Sequence, residues 1–323
     1  MTTLTRWLLG GGIALLAFSG AWADEAYPSK VVKILVGFPA GTSADILARI
    51  YANALSDKLG VQFLVEDKAG ASSNLAADVV AKSEPDGYTL YLGTVANAIG
   101  ESYFKKLPFN FAKDFKAIAP MGFATNIVVA SPTLGLNGVQ ELIQYARSHP
   151  DGLFYGTAGP GTSPHMSGEL FNLSASTRLT HIPYKGNNQG LIDLVEGRLS
   201  VIFAPAPTVS AFIKSGKVKP LAVTTLKRSS LFPDVPTLNE SGLKGFDSSL
   251  WYGLFAPKGV PDKILALLAR EVGAVSQLPP IKAQLATNGA EPMTMSLEAF
   301  AAFVQDDSAK WSRVMTDAKI ERE

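Results

Sequence analysis

Strand-like and helix-like runs alternate along this chain in two separate series, and that alternation admits few architectures. In the first series, residues 31–36, 62–65 and 88–92 read as strands, and 44–59 and 74–82 as helices. Ile46, Leu47, Ile50, Tyr51 and Leu55 recur at helical spacing, and Gly60 ends that helix. The second series has strands at 153–155, 179–183, 199–203 and 219–224, with helices at 138–148, 163–173, 189–196 and 211–214. Two apolar stretches without helical signals, 117–130 and 250–256, join the series, and helices at 264–275 and 297–316 end the chain. Alternating elements with short loops imply mostly parallel sheets covered by helices. Two series joined by two extended crossings imply two lobes with a cleft between them. The expected division is 24–125 with 252–323 as one lobe and 126–251 as the other.

Two loops in this pattern resemble each other. The first runs Phe38-Pro39-Ala40-Gly41-Thr42-Ser43-Ala44-Asp45, and the second Gly156-Thr157-Ala158-Gly159-Pro160-Gly161-Thr162-Ser163-Pro164-His165. Each follows a strand, precedes a helix, and lacks Lys and Arg. A helix N-terminus built of small residues offers free backbone N–H groups and a favourable dipole to an anion. Ligands in such sheets sit at the carboxyl ends of strands, where both loops lie. Together they predict a cleft that grips an anionic small molecule from both sides.

The N-terminus predicts an exported protein. Arg6 is the one charge before Asp24, the apolar run 7–17 is too short to span a membrane, and Ala21-Trp22-Ala23 has the pattern of a cleavage site. A signal peptide cut after Ala23 and a periplasmic location follow. Without Arg6, the 29 basic residues fall to 28, matching 28 acidic ones. That balance gives no reason to expect nucleic acid or an anionic membrane as partner. The absence of cysteine excludes disulfides, thiolate metal sites and cysteine nucleophiles.

Few residues suggest chemistry. His149 reads as a surface or capping residue and His181 as half-buried in a strand. Ser163 with His165 would be the pair for an exported hydrolase. However, the chain has no G-x-S-x-G elbow, and residues two apart on a helix point in different directions. Ser163 reads better as a helix N-cap. His165 suits either the cleft or local packing. Asp45 fits a structural role, bonding back to the N–H groups of its own loop. Phe38, Tyr184, Phe203 and Trp251 could wall a cleft, although aromatics at such places are more often core. No metal-ligand spacing, Walker A sequence or dinucleotide fingerprint occurs. The reading therefore includes no metal and no cofactor.

The motifs, in order, resemble one family. They are A-G-T-S-A-D-I-L-A-R at 40–49, D-K-A-G-A-S-S-N at 67–74, P-D-G-Y-T-L at 85–90, G-T-S-P-H at 161–165, G-E-L-F at 168–171, P-Y-K-G at 183–186 and P-D-V-P-T at 233–237. The chain resembles the Bug-type extracytoplasmic solute receptors of the tripartite tricarboxylate transporter system over essentially its whole length after residue 23. The resemblance implies an α/β, type II-like periplasmic binding protein: two lobes, each a mostly parallel sheet flanked by helices, with two hinge crossings. It implies no enzymatic activity and a small organic carboxylate as ligand, held by backbone N–H groups, hydroxyls and ordered waters. Its partners would be inner-membrane transporter subunits, or a sensor kinase if the receptor is an orphan, and it would act as a monomer. Mapped onto this chain, the ligand-binding candidates are Phe38, Gly41, Thr42, Ser43, Thr94, Ala96, Asn97, Thr157, Ala158, Gly161, Thr162, Ser163, His165 and Ala204. Two departures bear on specificity. Ala204 stands where many members carry an acidic residue, which disfavours an amino-acid ligand. Thr42 replaces a second glycine and narrows the first loop. Apolar residues at the cleft would suit an aromatic or branched carboxylate.

Overall fold

The computed structural model describes residues 27–323 except 151 and 318, so the expected leader lies outside the described residues. The first series forms β1 (Val32–Val36), α1 (Ser43–Leu59), β2 (Phe63–Asp67), α2 (Asn74–Ala81), β3 (Thr89–Thr94), α3 (Val95–Tyr103) and α4 (Phe111–Asp114). A long strand, β4 (Phe115–Ala130), leaves it. The second series follows as α5 (Val139–Ser148), β5 (Phe154–Thr157), α6 (Ser163–Ala175), β6 (Thr180–Pro183), α7 (Asn187–Val195), β7 (Val201–Pro205), α8 (Ala206–Lys214) and β8 (Pro220–Val223). Strand β9 (Ser249–Pro257) returns, and α9 (Asp262–Ser276), α10 (Pro279–Thr287) and α11 (Leu297–Asp317) complete the fold.

The strand order is β2-β1-β3-β9-β4-β7-β5-β6, with β8 also on β4. Strands β1, β2 and β3 are mutually parallel, as are β5, β6 and β7. The two crossings are antiparallel to them and to each other. Residues 115–125 of β4 pair with β9, whereas 126–130 pair with β7 and β8. One apolar cluster fills the first half and includes the aromatics Tyr51, Tyr91, Trp251 and Phe255. Two smaller clusters cover opposite faces of the second sheet.

Four helices, α3, α4, α8 and α10, depart from the sequence expectation. Helix α8 begins at Ala206 and not near 211, and α10 was not expected at all. Both carry proline in the first turn, where the missing N–H has no helical partner to lose. Proline there marks a helix start, not a break. Helix α3 follows β3 with no intervening loop, Thr94 serving as its N-cap.

Candidate ligand-binding site

Both loops fold into one local motif. Gly41 and Gly161 sit in the left-handed region, at φ 75° and 68°. The next residue, Thr42 or Thr162, is the extended N-cap of α1 or α6. The Thr42 hydroxyl donates to the Pro39 carbonyl at 2.7 Å, and Thr162 donates to Gly159 at 2.6 Å. The glycine N–H donates four residues ahead: Gly41 to Asp45 Oδ2 at 2.7 Å, Gly161 to His165 Nδ1 at 3.1 Å. Left-handed glycine, threonine hook and forward acceptor thus occur twice, on the shared sequence G-T-S.

The forward acceptors differ in charge. Asp45 is a buried carboxylate paired with Arg49 Nε at 2.5 Å, and Arg49 also reaches Asp67 at 2.9 Å. His165 is 5% exposed and lies against the rings of Tyr103 and His181. Burial, with the adjacent His181, pushes its pKa down to about 3, and burial takes His181 to about 4. Both rings are neutral at neutral pH, which leaves His165 Nδ1 free to accept.

The loops face one cavity of about 400 Å³, opening included. The first residues of five helices reach it: Ser43 and Ala44 of α1, Ala96 of α3, Ser163 and Pro164 of α6, Asn187 of α7, and Pro205 at the cap of α8. Each of these helices follows the carboxyl end of a parallel strand, so the topology aims their dipoles at one point. The first bond inside α1 is Ile46 N to Thr42 O, and inside α6 Met166 N to Thr162 O. The amides of Ser43, Ala44, Asp45, Ser163 and His165 therefore have no acceptor within their helices. No Lys, Arg, Asp or Glu is among the described residues that line it. Opposite rims touch where Asn188 Nδ2 donates to the Gly41 carbonyl at 3.2 Å.

Of the residues expected from sequence, Phe38, Thr42, Ser43, Thr94, Ala96, Ala158, Thr162 and Ser163 line this cavity. Gly161 and His165 stand one layer behind as the braces just described, and Gly41 is exposed at the rim. The Thr42 hydroxyl is engaged by Pro39, while its methyl points toward Gly186 and narrows the rim. Three expectations need correction. Asn97 does not face the cavity: its amide oxygen accepts from Thr94 N at 3.0 Å and its nitrogen bonds Tyr91 Oη at 2.9 Å. The Thr157 hydroxyl is held by His181 Nε2 at 2.6 Å and by Gly159 N at 3.1 Å. Ala204 lies opposite Ile127 in the sheet and is fully buried in an apolar cluster. An acidic residue at that position would enter the core, which removes the basis for reading ligand choice from it.

The hydrolase pairing is not formed. Ser163 Oγ accepts from Asn126 Nδ2 at 2.6 Å, while His165 Nδ1 is occupied by Gly161. Of the four aromatics, only Phe38 lines the cavity. Trp251 packs on Phe300 and Phe303, and its indole donates to Asp307 at 2.8 Å. Sequence reasoning missed Ala44, Pro164, Asn187, Pro205, Leu250 and Tyr252. Asn187 and Pro205 repeat the strand-to-helix logic of the two loops and could have been found by it. Tyr252 is legible from strand parity, since in β9 it must face opposite to Trp251.

Comparison with known proteins agrees with the fold. BugT of Bordetella pertussis is 32% identical over 98% of this chain and 99% of its own length. The Rhodopseudomonas palustris protein Rpa4515, solved with adipate, is 32% identical with a TM-score of 0.89, covering 92% of this chain and 100% of that one. MatC from the same organism, solved with malate, is 30% identical with a TM-score of 0.85, covering 89% and 99%. The family model described as the tripartite tricarboxylate transporter family receptor matches residues 47–320, and the chain belongs to that family of receptors, which are not enzymes.

Proposed function

We propose that this protein is a periplasmic receptor that captures a small organic carboxylate between its lobes and delivers it to a tripartite tricarboxylate-type membrane transporter. One observation carries the reading: five helix N-termini converge on a cavity lined, among the described residues, by no charged side chain. Such a site neutralises an anion with amide dipoles and hydroxyls. Adipate and malate in the related structures support a carboxylate, and both are dicarboxylates. Phe38 and Leu250 give the cavity apolar walls, which suit the carbon skeleton of such a ligand.

The lobes would be 24–125 with 252–323, and 126–251. The change of β4's partners from β9 to β7 and β8 at Asn126 supports that division. Closure of one lobe on the other would be the signal that the transporter reads. Both walls come from one chain, which fits a monomer. The leader expected at residues 1–23 supports the periplasmic location.

The test is to unfold the purified protein, identify any released small molecule by mass spectrometry, and screen mono- and dicarboxylates by thermal shift. Ligand at 100 times its dissociation constant adds about 2.7 kcal/mol of stability. A shift with carboxylates is expected. A shift with a sugar or an inorganic cation, and none with any carboxylate, would overturn the proposal. Uptake by vesicles containing the transporter subunits should then depend on added receptor.

A further inference from the structure

Among the described residues, Tyr252 carries the one fully buried hydroxyl in the cavity lining that is left without a hydrogen bond. It is 1% exposed, it lines the cavity, and its Oη has no hydrogen-bond partner among the described residues. The Ser43 hydroxyl at the start of α1 is the polar group beside it, yet no bond of sound geometry joins them. A buried hydroxyl with no partner is costly, and native proteins retain few of them without reason.

The backbone holds this side chain in place firmly. Tyr252 pairs with Thr94, the N-cap of α3, on one side and with Gly122 on the other. The pairing of β4 with β9 shifts register between Pro120 and Gly122. Trp251 and Phe255 pack together on the α11 face of the strand. Alternation sends Tyr252 to the opposite face, toward α1 and the cavity. Burial raises the phenol pKa, so the group stays protonated and can donate.

We propose that the Tyr252 hydroxyl is a direct, specificity-determining ligand contact: a neutral donor beside the α1 N-terminus that completes the hydrogen-bond set of an anionic ligand group. The assignment rests on the carboxylate reading above. It predicts two opposite effects from one atom. Without ligand, the hydroxyl is unmatched and contributes nothing to stability. With ligand, it makes a charge-assisted bond that a phenyl ring of the same shape cannot make.

The experiment compares the wild-type chain with Tyr252→Phe by thermal shift and calorimetry against C4 to C6 dicarboxylates, malate and adipate among them. The ligand-free variant should melt at the wild-type temperature or above it. Its affinity for the dicarboxylate that binds should fall about ten- to a hundredfold, the ~1.5–3 kcal/mol of a hydrogen bond to a charged group. Equal affinity in both proteins would overturn the contact while leaving the carboxylate reading intact. A ligand-free variant that melts well below wild type would mark the hydroxyl as structural and also overturn it. If no carboxylate binds even the wild-type protein, the carboxylate reading fails and takes this contact with it.

Discussion

Replacing His165 by asparagine should flatten the acid side of the stability profile by a calculable amount. The imidazole is held near a pKa of about 3 in the folded protein, against 6.5 for the free group. Between those values the unfolded chain binds a proton and the folded chain does not. Stability is therefore fully present above pH 6.5 and is lost as the pH falls toward 3. The slope approaches ~1.4 kcal/mol per pH unit, and from pH 7 to pH 5 the loss from this ring is roughly 2 kcal/mol. His181, lowered by burial to about 4, adds a nearly equal loss of the same sign over this range, but it is present in both proteins and cancels from their difference. Glu169 and Asp307 act the other way, because burial raises their carboxyl pKa; they are present in both proteins and cancel. In His165→Asn the amide oxygen can accept from Gly161 N as Asp45 accepts from Gly41, without titrating. Urea unfolding of both proteins at half-unit steps from pH 7 to pH 5 measures the difference. A variant that loses as much stability as wild type over that range would refute a buried neutral His165. The consequence for binding is direct. Protonation would turn Nδ1 from acceptor to donor and cost the second loop its Gly161 bond.

Two further substitutions test the corrected site. Ala204→Asp should place a carboxyl in the cluster formed with Ile127, Leu191 and Val209, destabilising the fold by about 3 kcal/mol or more in denaturant titration. A stable variant with altered ligand choice would instead put position 204 in the cleft. Ser163→Ala should remove the 2.6 Å acceptor of Asn126 Nδ2, leaving Ser167 at 3.1 Å. The expected cost is ~1 kcal/mol of stability. Neither protein should hydrolyse a p-nitrophenyl ester, and Ser163-dependent turnover would contradict a receptor.

Much of this molecule was legible because periodicity is local. The two series, both crossings and the paired loops follow from spacing and from glycine placement. The failures are equally physical. The sequence reading missed the helix starts at Ala206 and Pro279, where proline in the first turn costs no helical N–H. Asn97 and Thr157 were polar residues in the right loops, and the sequence could not show that Tyr91 and His181 engage their side chains. Trp251 was a candidate by its place at a crossing, while one residue of strand parity gives the cavity to Tyr252. His165 was found, but as a brace behind the loop: the role of Gly161 in fixing its ring depends on a left-handed backbone that only the folded loop displays.

The central claim is that a carboxylate is held by helix N-termini without any cationic side chain. A crystal structure of the protein with its tightest-binding carboxylate tests it most directly. The account predicts carboxylate oxygens within hydrogen-bond distance of the Ser43 and Ala44 amides on one side and the Ser163 amide on the other. A carboxylate paired with a lysine or arginine, or bound outside the cavity between the two loops, would contradict it.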